Sequence, residues 1–264
     1  MYLLRVVEKS LAALLNSTRS LARQFERSED ESIRDSERFW NNRANGDLKT
    51  IMHWRGHGRF SDDLWLSLGR QNLLLFEQAA EWAGLSRPLD RIVEWGCGGG
   101  MNAVPFACAA SEYYGIDVNA ESLREAARQV EFEPGGNFIP VEIDARNPEA
   151  ASAQIPGSCD LFLSTYVFEV FPSAAYGLRV MQIAHDLLRP GGVAIVHVRY
   201  HKGIAAVAVG RRRYAAHWVR RTTFAIDELW EACASIGFSP LFVKLVPEMP
   251  ELDEAHYAYF AMMK

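Results

Sequence analysis

Two carboxylates and a run of glycines carry the chemistry that this sequence offers first. Residues 91–100 read Arg-Ile-Val-Glu-Trp-Gly-Cys-Gly-Gly-Gly, an apolar strand that ends at Glu94 and runs into Gly96, Gly98 and Gly100. Such a turn lets bare backbone approach a nucleotide, because glycine has no Cβ to intrude and reaches positive φ without strain. A second acid, Asp117, closes the next strand-like segment, Tyr113-Tyr114-Gly115-Ile116-Asp117. There its carboxylate can accept hydrogen bonds from both hydroxyls of a ribose. Groups suited to proton transfer or orientation come later, as Tyr166 and Glu169 in one segment and His197, Tyr200 and His201 in another.

In Glu94-Trp95-Gly96-Cys97-Gly98-Gly99-Gly100 followed by Asp117, the chain resembles the class I S-adenosylmethionine (SAM)-dependent methyltransferases. The resemblance implies SAM as cofactor and a Rossmann-like α/β fold: a mostly parallel seven-stranded sheet closed by an antiparallel C-terminal hairpin. It implies Glu94, Gly96, Gly98, Gly100 and Asp117 as cofactor-binding residues, with Gly98 and Gly100 admitting the cofactor against bare backbone. Asp144, in Val141-Glu142-Ile143-Asp144-Ala145, lies where the family has a polar side chain near the adenine amine. Asp160-Leu161-Phe162-Leu163-Ser164 resembles the family's fourth strand, with Ser164 at its cofactor end, and Leu188-Arg189-Pro190-Gly191-Gly192 resembles the turn before strand five. A dinucleotide-binding domain is the close competitor, since it too has a glycine turn followed by an acid. Its third glycine would fall on Met101 counting from Gly96, or on Ala103, an allowed variant, counting from Gly98. Position counting therefore leaves both open, and the later segments favour SAM.

Ligands in open α/β sheets sit beyond the carboxyl ends of the strands, so the acceptor chemistry is expected in the loops after strands four and five. Many small-molecule methyltransferases have a glutamate followed by a basic histidine after strand four; here Glu169 is followed by Val170. Tyr166 is then the candidate that orients or deprotonates an acceptor, or that covers the methionine moiety. After strand five, Tyr200 and His201 stand nearest the strand's end and complete the catalytic set, whereas His197 reads as a core histidine. Arg211, Arg212, Arg213, Arg220 and Arg221 read as a solvated basic face, with carboxylate or phosphate binding as the alternative. No metal site is expected, for want of a dense carboxylate or histidine cluster. The expected reaction is methyl transfer from SAM to oxygen, nitrogen or carbon of a small molecule. Displacement at another sulfonium carbon, or SAM binding without turnover, are the alternatives.

These groups need a frame, and the chain supplies one from Arg91 onward by alternating strand-like and helix-like segments, the pattern of a parallel sheet covered on both faces. Strands are expected near 91–95, 113–117, 138–142, 160–164 and 193–199, with a helix at Asn102–Ala110. A further helix is expected from Phe224 to Ile236, stopped at Gly237, and a closing antiparallel pair at 241–246 and 256–262. We divide the chain into a helical cap, residues 1–85, and a SAM-binding domain, residues 86–264. Within the cap, Leu4, Val7, Leu11, Leu14, Leu15, Leu21 and Phe25 follow helical spacing, a stripe suited to packing on the domain or on a second subunit in a homodimer. Residues 51–60, Ile-Met-His-Trp-Arg-Gly-His-Gly-Arg-Phe, read either as a lid loop over the cofactor, which the resemblance implies, or as an anchor of the cap on the core through Trp54 and Phe60, and Ser61-Asp62-Asp63 reads as the start of a helix.

Composition bounds the partners. A net charge of -5 and a pI near 5.8 argue against a general nucleic-acid or anionic-membrane surface and favour a small-molecule substrate. Four cysteines with no Cys-x-x-Cys pair suit a reducing cytoplasm. The leucine-rich start is interrupted by Arg5, Glu8 and Lys9, so it reads as neither a membrane span nor a cleaved leader.

Overall fold

The computed structural model describes residues 28–42, 48–57, 60–85, 88–201, 222–248 and 256–264. The leucine stripe ending at Phe25 and the arginines between 211 and 221 lie outside these residues. In chain order, α1 (Glu29–Trp40), α2 (Leu48–Ile51) and α3 (Asp62–Ala83) precede the first strand, β1 (Leu89–Trp95). After it come α4 (Ala103–Phe106), β2 (Ala110–Asp117), α5 (Ala120–Val130) and β3 (Phe138–Glu142). Next are α6 (Ala151–Gln154), β4 (Cys159–Ser164), α7 (Ala174–Leu187) and β5 (Leu188–Arg199). Finally α8 (Ile226–Ile236) leads into β6 (Ser239–Leu245) and β7 (Tyr257–Met263).

The strands form one seven-stranded sheet in the order β3-β2-β1-β4-β5-β7-β6. Pairing is parallel from β3 to β5, while β7 runs antiparallel to both β5 and β6, which is the expected C-terminal hairpin. Because the crossover helices cover both faces, the central strands are apolar in every direction rather than alternating. Ile92, Leu161, Leu163, Val193 and Ile195 face one side, where α3 and α4 pack on them through Trp65, Phe76 and Phe106. Val93, Phe162, Ala194 and Val196 face the other, against α7 and α8.

Local signals set the ends of the helices. Ser61 caps α3, its hydroxyl accepting from the Leu64 N–H at 3.2 Å, and Gly84 stops that helix in the left-handed region at φ 65°. Ser28 and Glu31 form a capping box on α1. The helix expected at Asn102–Ala110 is shorter: one α-turn passes into a 3₁₀ turn at Ala107–Ala109, because β2 begins at Ala110 and leaves no length for more. Strand five starts earlier than expected, since Leu188–Gly192 already runs with the sheet.

Candidate functional site

β1 pairs β2 on one side and β4 on the other, so the strand order reverses there and a crevice opens beyond the carboxyl ends. It holds a cavity of about 130 Å³ that opens to solvent at its mouth. The glycine turn is its floor. Gly96 and Gly98 both line it, at φ 74° and 50°, values where a β-carbon is strained. Asp117 closes the floor from β2: its Oδ2 accepts from the Gly98 N–H at 3.0 Å and its Oδ1 from the Asn119 N–H at 2.9 Å. Burial pushes the Asp117 carboxyl up to about 6 against those backbone donors.

Beneath the turn lies a buried polar chain. Glu94, only 2% exposed, accepts from the Tyr113 hydroxyl at 2.7 Å and from Asn102 Nδ2 at 2.6 Å. The same Asn102 amide donates to Thr165 Oγ1 at 2.8 Å, and its oxygen accepts from Asn72 Nδ2 at 2.7 Å. Asn72 Oδ1 in turn accepts from the Tyr259 hydroxyl at 2.7 Å. One chain of hydrogen bonds thus joins β2, β1, α4, α3 and β7. No cation enters the bonds to Glu94, and burial pushes its carboxyl up to about 7 despite them.

The segment before β1 contributes the facing wall. Trp54 donates its indole N–H to Ser122 Oγ at 3.1 Å, and that hydroxyl donates to Met52 Sδ at 2.9 Å, which fastens the segment to the start of α5. The fit is close: a Cβ on Gly98 would come 2.9 Å from the Met52 carbonyl oxygen, and one on Gly99 2.9 Å from Trp54. His53 lines the cavity beside Met52 and meets Tyr166 edge-to-face at 5.6 Å. Both residues hold positive φ, 54° and 60°, a conformation costly for side-chain-bearing residues. Thr165, Tyr166, Val167 and Val170 from the loop after β4 complete this wall.

Six of the ten residues singled out from the sequence lie elsewhere or serve another contact. Gly100 is bare for helix packing, since a Cβ there would come 2.9 Å from the Ala126 Cα of α5, and it does not line the cavity. Ser164 is fully buried and donates to the Trp95 carbonyl at 3.0 Å, tying β4 to β1; its successor Thr165 reaches the cavity instead. Asp144 is exposed, at the start of a turn closed by the Asn147 N–H on its carbonyl at 2.9 Å, while Ile143 and Ala145 on either side of it line the cavity. Its carboxylate is paired with Arg146 at 2.8 Å, whose hydrogen bonds hold it below its ordinary range. Tyr200 pairs its backbone with His256, and His201 Nδ1 lies 3.2 Å from Thr223 Oγ1; neither lines the cavity. Glu94 lines it with its carboxylate turned toward Tyr113 and Asn102. Asp117, Gly96, Gly98 and Tyr166 are brought together. Reading the sequence did not find Asn72, Asn102 or Thr165, whose signals are only a polar residue in an apolar helix and small polar residues flanking turns.

Among the described residues no helix is long and apolar enough to cross a membrane, and no group of three or more His, Cys, Asp or Glu could hold a metal ion. Residues 93–194 match the family described as methyltransferase domain. The chain is 30% identical over 202 residues to the ubiquinone biosynthesis O-methyltransferase of Ruegeria pomeroyi, covering 71% of this chain and 77% of that protein. It is 28% identical to the protein of the same description from Cereibacter sphaeroides, covering 71% and 78%. In fold it is similar to the magnesium protoporphyrin IX methyltransferase of Synechocystis PCC 6803, solved with SAH, at TM-score 0.58 and 16% identity over 86% of this chain and 97% of that one. Kinship in sequence and likeness in fold converge with the glycine turn and its companion acid, and the chain belongs to the class I SAM-dependent methyltransferases.

Proposed function

We propose that the protein methylates a hydroxyl of a small, largely apolar acceptor held between the cap and the loop after β4. The carrying observation is one continuous cavity whose floor is the glycine turn and Asp117 and whose wall is aliphatic and aromatic. The names of the curated relatives, O-methyltransferases, support oxygen as the accepting atom. The four cysteines, all free thiols, suit a cytoplasmic setting.

The residues present fit SAM. Gly96 and Gly98 leave bare backbone on the cavity floor, where a Cβ would run into the Val167 side chain or the Met52 carbonyl, and Asp117 beside them offers a carboxylate suited to ribose hydroxyls. When bound, SAM supplies a methyl group activated by an adjacent sulfonium. The side chains would divide the remaining work. Asp117 holds ribose hydroxyls, and Ile143 and Ala145 pack on the adenine. Thr165 and Tyr166 border the acceptor, and Met52 and Trp54 exclude water. Holding acceptor and methyl in line is the main catalytic gain such a site offers.

The test is mass spectrometry of all products after incubation with SAM and a panel of phenols, amines and carboxylic acids. Methylation of phenols above the other classes is expected. Methylated amines or acids alone, or cleavage of SAM without an acceptor, would replace this reading.

A further inference from the structure

Two histidines flank Tyr166, and they differ in what they can reach. His197 of β5 is fully buried, 4.7 Å from the Tyr166 ring, stacked on Tyr257 at 4.8 Å and 4.4 Å from Tyr259. Burial pulls its imidazole down to about 3, so it stays neutral and fills space. His53 also packs on Tyr166, with ring centroids 5.6 Å apart, and lines the cavity. Its position is fixed from several directions. Its ring packs on Phe60 at 4.7 Å, its N–H donates to the Thr50 carbonyl at 3.2 Å, and its carbonyl accepts from the Trp65 indole N–H at 2.7 Å. Together these contacts hold φ at 54°, a value that a side-chain-bearing residue adopts only when its surroundings enforce it.

Resting on the reading of the protein as a hydroxyl methylating enzyme, we infer that His53 is the general base for the acceptor, and that acceptors are weakly acidic, phenol-like hydroxyls. The other titratable groups of the cavity are less suited. Glu94 accepts from Tyr113 and Asn102, and Asp117 accepts from two backbone N–H groups of the cofactor floor. Glu37 lies 3.4 Å from Arg146, and Val170 occupies the place where a base is expected after strand four. Among the described cavity residues His53 carries the one imidazole, the side chain whose ordinary range suits proton transfer near neutrality. In the step, an imidazole nitrogen of His53 takes the hydroxyl proton as the acceptor oxygen bonds to the methyl carbon. The carbon–sulfur bond breaks with its electron pair going to sulfur, and the imidazolium then releases the proton to solvent. Tyr166 and Phe60 stand in ring contact with His53, and Glu37, Glu94 and Asp117 share the crevice with it.

His53→Asn removes the base and keeps a residue that tolerates left-handed backbone. With a phenol that the parent methylates, kcat should fall about 100-fold, the lower end for loss of a general base. SAM affinity by calorimetry and the KM for the phenol should be unchanged. Across a series of phenols the loss should shrink as acceptor acidity rises, because an acceptor already ionised needs no base. A readout without turnover is the His53 ring proton resonance, identified by its disappearance in His53→Asn. In the SAH complex that resonance should move when the same phenol is added. A parent that methylates no hydroxyl removes the proposed function and this inference together. An active parent whose His53→Asn variant keeps its kcat, loses equally on all phenols, or shows an unmoved resonance overturns the inference alone.

Discussion

The floor and the wall of the cavity are built in opposite ways. The floor is local: Gly96, Gly98 and the end of β1 follow one another in sequence, and Asp117 arrives on the adjacent parallel strand. Its geometry is dictated by backbone, through positive φ at glycines and N–H groups on a carboxylate. The wall is assembled from distant segments, with Met52 and His53 set against Tyr166 and held by side-chain contacts to α5 and α3. Backbone-built features survive changes of surrounding side chains, whereas side-chain-built ones are where related proteins can vary their acceptor. Damage to the floor should therefore appear as lost cofactor affinity, and damage to the wall as altered turnover or cofactor exchange.

The largest effect is expected from Gly98→Val. A β-branched residue at φ 50° is strained by roughly 1–3 kcal/mol. Its Cβ would also press on the Met52 carbonyl, which is backbone and cannot swing aside. Calorimetry should detect no SAM binding while circular dichroism stays native; retained affinity would mean that the floor tolerates what the geometry forbids.

Next comes the buried acid under the floor. The folded value of Glu94, about 7, lies above its unfolded value of 4.5, so between these the native state holds a proton that the unfolded chain releases. Stability from this group is complete below pH 4.5 and is lost as pH rises through 7, by roughly 3 kcal/mol. Glu94→Gln does not titrate. The difference in unfolding free energy between parent and variant, followed by urea denaturation from pH 4.5 to 7.5, should change by that amount in favour of the variant as pH rises. A flat difference would mean that the carboxylate is compensated in the apo protein.

Asp117→Ala should weaken SAM binding by about 1.5–3 kcal/mol, the range for hydrogen bonds to a charged group. Acceptor KM should stay constant, and a change confined to acceptor KM would move Asp117 from floor to wall. The smallest effect is expected at the latch. Trp54→Phe keeps the ring over the turn and removes one hydrogen bond, so SAM dissociation in stopped flow should quicken about fivefold, equivalent to about 1 kcal/mol. An unchanged rate would show that packing alone seats the cap.

The same contrast explains what the sequence revealed. The sheet, its antiparallel ending, the cap on α3 at Ser61 and the glycine stop at Gly237 follow from short-range patterns, and each is found where expected. Gly96, Gly98 and Asp117, read from equally short patterns, meet at one cavity floor. Asp144 faces solvent between two cavity-lining neighbours, Ile143 and Ala145, and its ion pair with Arg146 favours that position. Thr165 likewise lines the cavity where its neighbour Ser164 does not. Tyr200 and His201 lie at a strand end, yet β5 continues into a backbone pairing with His256 and Phe224, and neither residue lines the crevice. Asn72 could not have been found from its neighbours, since its partners Asn102 and Tyr259 are brought to it only by the packing of α3 across the sheet.

Insertion of β7 between β5 and β6 has a consequence for biosynthesis. A nascent chain carries the complete glycine turn and its acids long before it carries Tyr259, the residue that steadies Asn72 and, through Asn102, the Glu94 carboxylate. Until β7 docks, β5 lacks its outer neighbour and β6 lacks the strand it pairs with. Pairings between segments so far apart in sequence form slowly, because the intervening chain must be closed first. Cofactor affinity is thus expected to mature late, after the parallel half of the sheet is in place, and ribosome-held chains of increasing length should gain tight SAM binding only once β7 has emerged.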